Sequence, residues 1–144
     1  MQSRTFCFLA IALLAGCGGG APKTDAEQIS QVLKDAAGAL ADRDGAKACG
    51  YLTPQGQQQV VTLAGPAFGG SDCASIVQLA TATLAPLDRS QIKDAEPQNV
   101  AITGAQATAD VVPPSATDNA ARVHVTLQKT ADGWRIAALA NLPA

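Results

Sequence analysis

The spacing of the apolar residues changes once along this chain, near Pro86, and that change limits the folds open to it. Before Pro86 the apolar side chains recur at helical intervals, as at Ile29, Val32, Leu33, Ala36 and Leu40, with Gln28, Gln31, Lys34 and Asp35 on the other side. Beyond it they alternate. Val100 and Ile102 form one set, Ala107, Ala109 and Val111 a second, and Val123, Val125 and Leu127 a third. Asp132-Gly133 is a hairpin signal that joins Lys129 to a last strand from Trp134 to Leu139. Helices followed by strands define an α+β domain: N-terminal helices, then an antiparallel meander of about three to five strands.

The helical half divides at its breakers. Thr24-Asp25-Ala26-Glu27 has capping-box form, so the first helix begins there and runs to about Arg43. Asp44-Gly45 ends it, and Ala46–Leu52 forms a short second helix. Thr53-Pro54 reads as an N-cap with proline at the first helical position, opening a third helix over Gln55–Leu63 that stops before Gly65-Pro66. Ser71-Asp72 caps a fourth, from Cys73 to about Leu84, with Ile76, Val77, Leu79 and Ala80 as its apolar residues.

The amino terminus is of a different kind. Arg4 is the only charged side chain before Lys23, and Phe6 to Leu14 is an unbroken apolar run, the order of a secretory signal. The run is too short to span a bilayer core, which takes about 20 apolar residues as a helix. It ends in Leu14-Ala15-Gly16-Cys17, which resembles the bacterial lipobox, where the cysteine thiol takes a diacylglycerol and becomes the first residue after cleavage. The alternative is an ordinary secreted protein cut between Gly16 and Ala21. The expected organisation is a signal peptide at 1–16, a lipidated flexible tether at 17–24 rich in glycine, and one α+β domain at 25–144. Acyl chains on Cys17, at about 0.8 kcal/mol per buried methylene, would anchor it stably to a membrane on the extracytoplasmic side.

Of four cysteines, Cys7 leaves with the signal and Cys17 takes the lipid, so Cys49 and Cys73 remain. In an exported protein such a pair forms a disulfide more readily than a metal site, because zinc needs two more ligands and the chain has one histidine, His124. Two reduced thiols held for redox work are the alternative, without the close Cys-x-x-Cys spacing of that chemistry. The chain has 10 Lys and Arg against 12 Asp and Glu, scattered without runs, which does not favour a nucleic-acid partner.

Four segments together resemble the nuclear transport factor 2-like (cystatin-like cone) superfamily, and within it a loose set of small actinobacterial lipoproteins whose activity is uncharacterised. They are the opening amphipathic helix, Ala48–Pro54 (ACGYLTP), Asn99–Val111 (NVAITGAQATADV) and Val123–Ile136 (VHVTLQKTADGWRI). The resemblance runs from roughly Asp25 to Leu139. It implies a curved sheet wrapped around the helices with a conical cavity, and often a homodimer through the sheet's outer face. It implies no single activity, because this fold houses isomerases, dehydratases, carriers and protein-binding modules.

Tyr51, the only tyrosine, is a weak pocket candidate, since related isomerases use a tyrosine hydroxyl; packing beside the Cys49–Cys73 bridge is the simpler reading. Trp134, the only tryptophan, is the other, though its step with Ile136 and Ala138 fits a core anchor. His124 and Asp110 fall in the outward sets of their strands. Ser71, Ser75, Ser90 and Ser115 lie in no Gly-x-Ser-x-Gly context, and Gly18–Gly20 lack the strand and the Gly-Lys-Ser/Thr of a phosphate loop.

No catalytic, cofactor or metal residue is therefore assigned. The leading expectation is a non-enzymatic lipoprotein that binds another envelope protein or supports its assembly. A carrier or sensor of a small apolar ligand comes second, and an isomerase- or dehydratase-like enzyme built on Tyr51, His124 and Asp110 third.

Overall fold

A computed structural model of the chain describes residues 21–116 and 122–140; the expected leader, Cys17 and the tether glycines 18–20 lie outside them. Five helices come first: α1 (Asp25–Ala41), α2 (Gly45–Gly50), α3 (Pro54–Phe68), α4 (Cys73–Ala82) and α5 (Pro86–Lys93). Four strands follow, β1 (Glu96–Thr103), β2 (Gln106–Val112), β3 (Val123–Thr130) and β4 (Gly133–Ala140), in one antiparallel sheet of order β1-β2-β3-β4. This is the expected α+β order.

The start of α1 is set by its capping box. The Glu27 amide donates to Thr24 Oγ1 at 3.3 Å, and the Thr24 amide donates to the Glu27 carboxylate at 2.7 Å. The Thr24 amide first, and then the Thr24 hydroxyl at 3.0 Å, donate to the Glu27 carboxylate and hold its pKa below the ordinary value. Asp44, Thr53 and Asp72 cap the next three helices in the same way.

α3 runs to Phe68, past the Gly65-Pro66 that was expected to stop it. Pro66 lies within its last turn and leaves the Thr62 carbonyl without its helical amide donor. The helix closes at Gly69, whose left-handed φ of 72° lets its amide donate to the Gly65 carbonyl at 2.8 Å. α5 was not expected at all. None of its residues is buried, so the apolar spacing that marks the other helices is missing from it.

The core forms where α1 crosses the inner face of the sheet. Ile29, Leu33 and Ala36 pack against Ala107, Ala109, Val125, Leu127, Trp134 and Ile136. Two irregularities bend the sheet. In β1 the register shifts between Gln98 and Ala101, with Asn99 in the left-handed region at φ 52°. In β4 it shifts around Ala137, since Leu127 pairs with Ile136 but Thr126 with Ala138 and Val125 with Leu139. Consequently Leu139, not Ala138, shares the inward face with Trp134 and Ile136, which corrects the simple alternation read from the sequence.

The free edge of β4 is covered by the α2–α3 connection. The Ile136 amide donates to the Tyr51 carbonyl and the Thr53 amide to the Ile136 carbonyl, both at 2.8 Å. Further along, the Gln59 side-chain amide takes and gives a hydrogen bond with the Leu139 backbone, at 2.9 and 3.0 Å. A sheet edge sealed in this way offers no template for another chain. The approach is close at Gly56, where an added Cβ would lie 2.7 Å from the Ile136 carbonyl oxygen.

Cys49 and Cys73 form the expected disulfide, 24 residues apart in sequence, and tie α2 to α4. Every buried apolar side chain among the described residues lies between Ile29 and Ile136. No single helix among the described residues is long and apolar enough to cross a membrane.

Candidate functional site

The two ends of α1 meet the sheet differently. Toward its N-terminus Ile29 and Leu33 fill the space beneath the helix, and Trp134, 1% exposed, closes that end. Toward its C-terminus the covering residues include Ala36 and Ala37, whose short side chains leave the sheet face partly unfilled. A cavity of about 310 Å³ remains there.

Four residues at helical spacing, Leu33, Ala36, Ala37 and Leu40, form its α1 wall. Val111, Val123, Val125, Ile136 and Leu139 form the sheet wall, and Ile92, Ala95 and Pro113 flank it. Every lining residue among those described is Ala, Val, Leu, Ile or Pro. The bulge in β4 matters here, because it turns Leu139 inward. The flanking pieces are joined where the Ser115 amide donates to the Gln91 side chain of α5 at 3.1 Å.

Neither Tyr51 nor Trp134 lines this cavity, so the structure does not place the two weak pocket candidates in it. Tyr51 is the C-cap of α2, and its side chain packs against the core. Trp134 is a clamp: its indole donates to Asp25 at 3.0 Å, and the Lys129 ammonium lies 5.8 Å from the ring centroid. Trp134 is thus a buried anchor of the core, and Tyr51 packs against the same cluster.

Asp110 and His124 do meet, which the sequence could not show. Register pairs them across β2 and β3, and His124 Nδ1 lies 2.9 Å from the Asp110 carboxylate. Asn99 donates to the other carboxylate oxygen at 2.9 Å from the β1 bulge. The Asn99 bond first, then that from His124, holds the Asp110 carboxyl below its ordinary pKa. This cluster is on the outer, solvated face of the sheet, as expected of both residues. Tyr51, Asp110 and His124 thus share no pocket, and the isomerase or dehydratase reading gains no site from them. Among the described residues no group of three or more His, Cys, Asp or Glu is placed to hold a metal ion.

Sequence reading named none of these residues as cavity lining; it read Leu33, Ala36, Leu40, Val111, Val123, Val125 and Ile136 only as apolar faces, and gave no inward place to Ala37, Ile92, Ala95, Pro113 or Leu139. The available signal was the alanine-rich second half of α1 opposite the valine-rich ends of β2 and β3.

Helices laid into a bent antiparallel sheet, with one end filled and the other hollow, define an α+β cone. The chain matches no protein-family model and no curated protein sequence. In structure it is similar to an NTF2-like protein with a cystatin-like fold from Novosphingobium aromaticivorans, at 14% identity and a TM-score of 0.48 over 80% of this chain and 79% of that one. It is similar to the same degree, 14% and 0.48, to a domain of unknown function with a cystatin-like fold from Nostoc punctiforme, over 83% of this chain and 76% of that one.

Proposed function

We propose that this chain is an exported lipoprotein, anchored through Cys17 on the extracytoplasmic face of a membrane, whose domain carries or senses a small apolar molecule. The observation that carries the second half is the cavity of about 310 Å³, lined among the described residues only by Ala, Val, Leu, Ile and Pro. Its volume is at the lower end of the range of roughly 300 to 1,000 Å³ typical of ligand sites. An apolar surface of this kind, held open rather than collapsed, gains from any hydrocarbon that displaces water from it. The lipobox-like Leu14–Cys17 segment supports the anchor.

Two measurements test the halves separately. Cys17→Ser should move the protein from the membrane fraction to the soluble one; unchanged fractionation would remove the anchor from the account. The mature chain carrying that substitution should bind the apolar fluorophore N-phenyl-1-naphthylamine at one site, and Ala37→Phe, which fills the cavity, should abolish binding without unfolding the domain. Binding that survives Ala37→Phe would place the fluorophore elsewhere.

A second reading, binding of an envelope protein, is favoured by the surface of α3 and α4. Asp72 is the only ionisable side chain from Pro54 to Leu87, and Leu63, Phe68 and Leu79 are exposed there. Cross-linking in membranes from positions 63 and 79 should yield one reproducible adduct under this reading, and none without it.

A further inference from the structure

Among the described residues the cavity walls contain no hydrogen-bonding side chain, so the part of a ligand they enclose is hydrocarbon, since a polar group there would lose its hydrogen bonds to water without replacement. The long wall is straight: Leu33, Ala36, Ala37 and Leu40 extend along about two turns of α1, roughly 10 Å, facing the ends of β2, β3 and β4. That shape suits a single extended alkyl chain.

A charged residue lies on the flanking helix. On α5, Arg89 precedes the cavity-lining Ile92 by one turn on the same helix face. Its Nε is buried with no hydrogen-bond partner among the described residues, as is that of Arg122. A buried guanidinium nitrogen without an acceptor is unusual in a folded protein, and an anionic oxygen is the acceptor it fits best.

We infer that the cavity takes the alkyl tail of a single-chain anionic amphiphile, with its carboxylate or phosphate head outside the apolar walls and paired with Arg89. This rests on the apolar-ligand reading above and names the class of ligand. A compact hydrocarbon would use the walls alone and leave Arg89 as it is; an anionic amphiphile satisfies both features.

The test is displacement of N-phenyl-1-naphthylamine from the mature chain carrying Cys17→Ser, in the absence of detergent. Decanoate, decyl phosphate, decanol and decyltrimethylammonium are compared below their micelle concentrations. One of the two anions, or both, should displace the probe at about tenfold lower concentration than decanol, equivalent to one charge-assisted hydrogen bond. The cation should be the weakest. In Arg89→Gln the anion preference should vanish while the probe binds as before, and Arg89→Lys should restore part of it. Preference for decanoate over decyl phosphate identifies a fatty-acid head, and the reverse a phosphate head. Equal displacement by anions and decanol, or a preference that persists in Arg89→Gln, overturns the inference while leaving the apolar cavity intact. Failure of the probe itself to bind would instead remove the apolar-ligand reading.

Discussion

The indole nitrogen of Trp134 donates to Asp25 at 3.0 Å, which joins the first residue of α1 to the first turn of β4. Lys129 donates to both oxygens of the same carboxylate, at 2.8 and 3.1 Å. One acidic side chain thus gathers the end of the domain opposite the cavity, and its charge has a measurable consequence.

The bonds from Lys129 first, and then from Trp134, hold the Asp25 carboxyl below its ordinary pKa. A carboxyl whose folded-state pKa is depressed stabilises the fold above the unfolded value, near 3.9, and loses that contribution as pH falls through the folded value. Asp25→Asn should therefore lower the thermal midpoint at pH 7, and the gap from the parent should narrow as pH falls below about 4. Equal midpoints at pH 7 would show that the clamp contributes nothing.

The Cys49–Cys73 bridge closes a loop with a sequence separation of 24. In the chain-entropy model such a loop contributes about 3.5 kcal/mol. Urea denaturation of the Cys49→Ser, Cys73→Ser double variant should show a loss of that order. The parent should show no reactive thiol at either position, even when unfolded without reductant.

Burial separates two leucines. Leu127 is fully buried against α1, whereas Leu63 is 59% exposed on α3. Leu127→Ala should cost about 2 to 5 kcal/mol in chemical denaturation, and Leu63→Ala should stay within about 0.5 kcal/mol.

Close approach makes the opposite kind of change costly at Gly56. Gly56→Ala places a Cβ against the Ile136 carbonyl that pairs with Thr53, so it should destabilise by about 1 to 3 kcal/mol through displacement of β4. The same substitution at Gly50, where an added Cβ meets nothing within 4 Å, is the control.

What could be read in advance was local. The capping box at Thr24, the spacing along α1 and the alternation in β2 and β3 each depend on residues close in sequence, and each is found in the fold; the hairpin signalled by Asp132-Gly133 is also found, with its turn one residue earlier at Ala131-Asp132 and Gly133 paired with Thr130. The bridge from Cys49 to Cys73 was legible because few alternatives existed. Features set by tertiary packing were not. The β4 bulge that brings Leu139 inward has no signature in Trp134–Ala140, where every residue beyond Arg135 is apolar. Continuation of α3 through Pro66 depends on the C-cap at Gly69. The cavity is made by what small side chains leave empty between α1 and the sheet, which no single segment records. The meeting of Asn99, Asp110 and His124 likewise required the register of three strands.

The central claim is that the hollow end of the cone holds an apolar molecule, and native mass spectrometry of the exported, unanchored protein tests it most directly. The Cys17→Ser chain, purified without detergent, should show the mass of the disulfide-bonded polypeptide together with a bound small molecule. That extra mass should be absent from the Ala37→Phe variant of equal thermal stability. A bare polypeptide in both, with no stabilisation of the parent by any added apolar compound, would contradict the account.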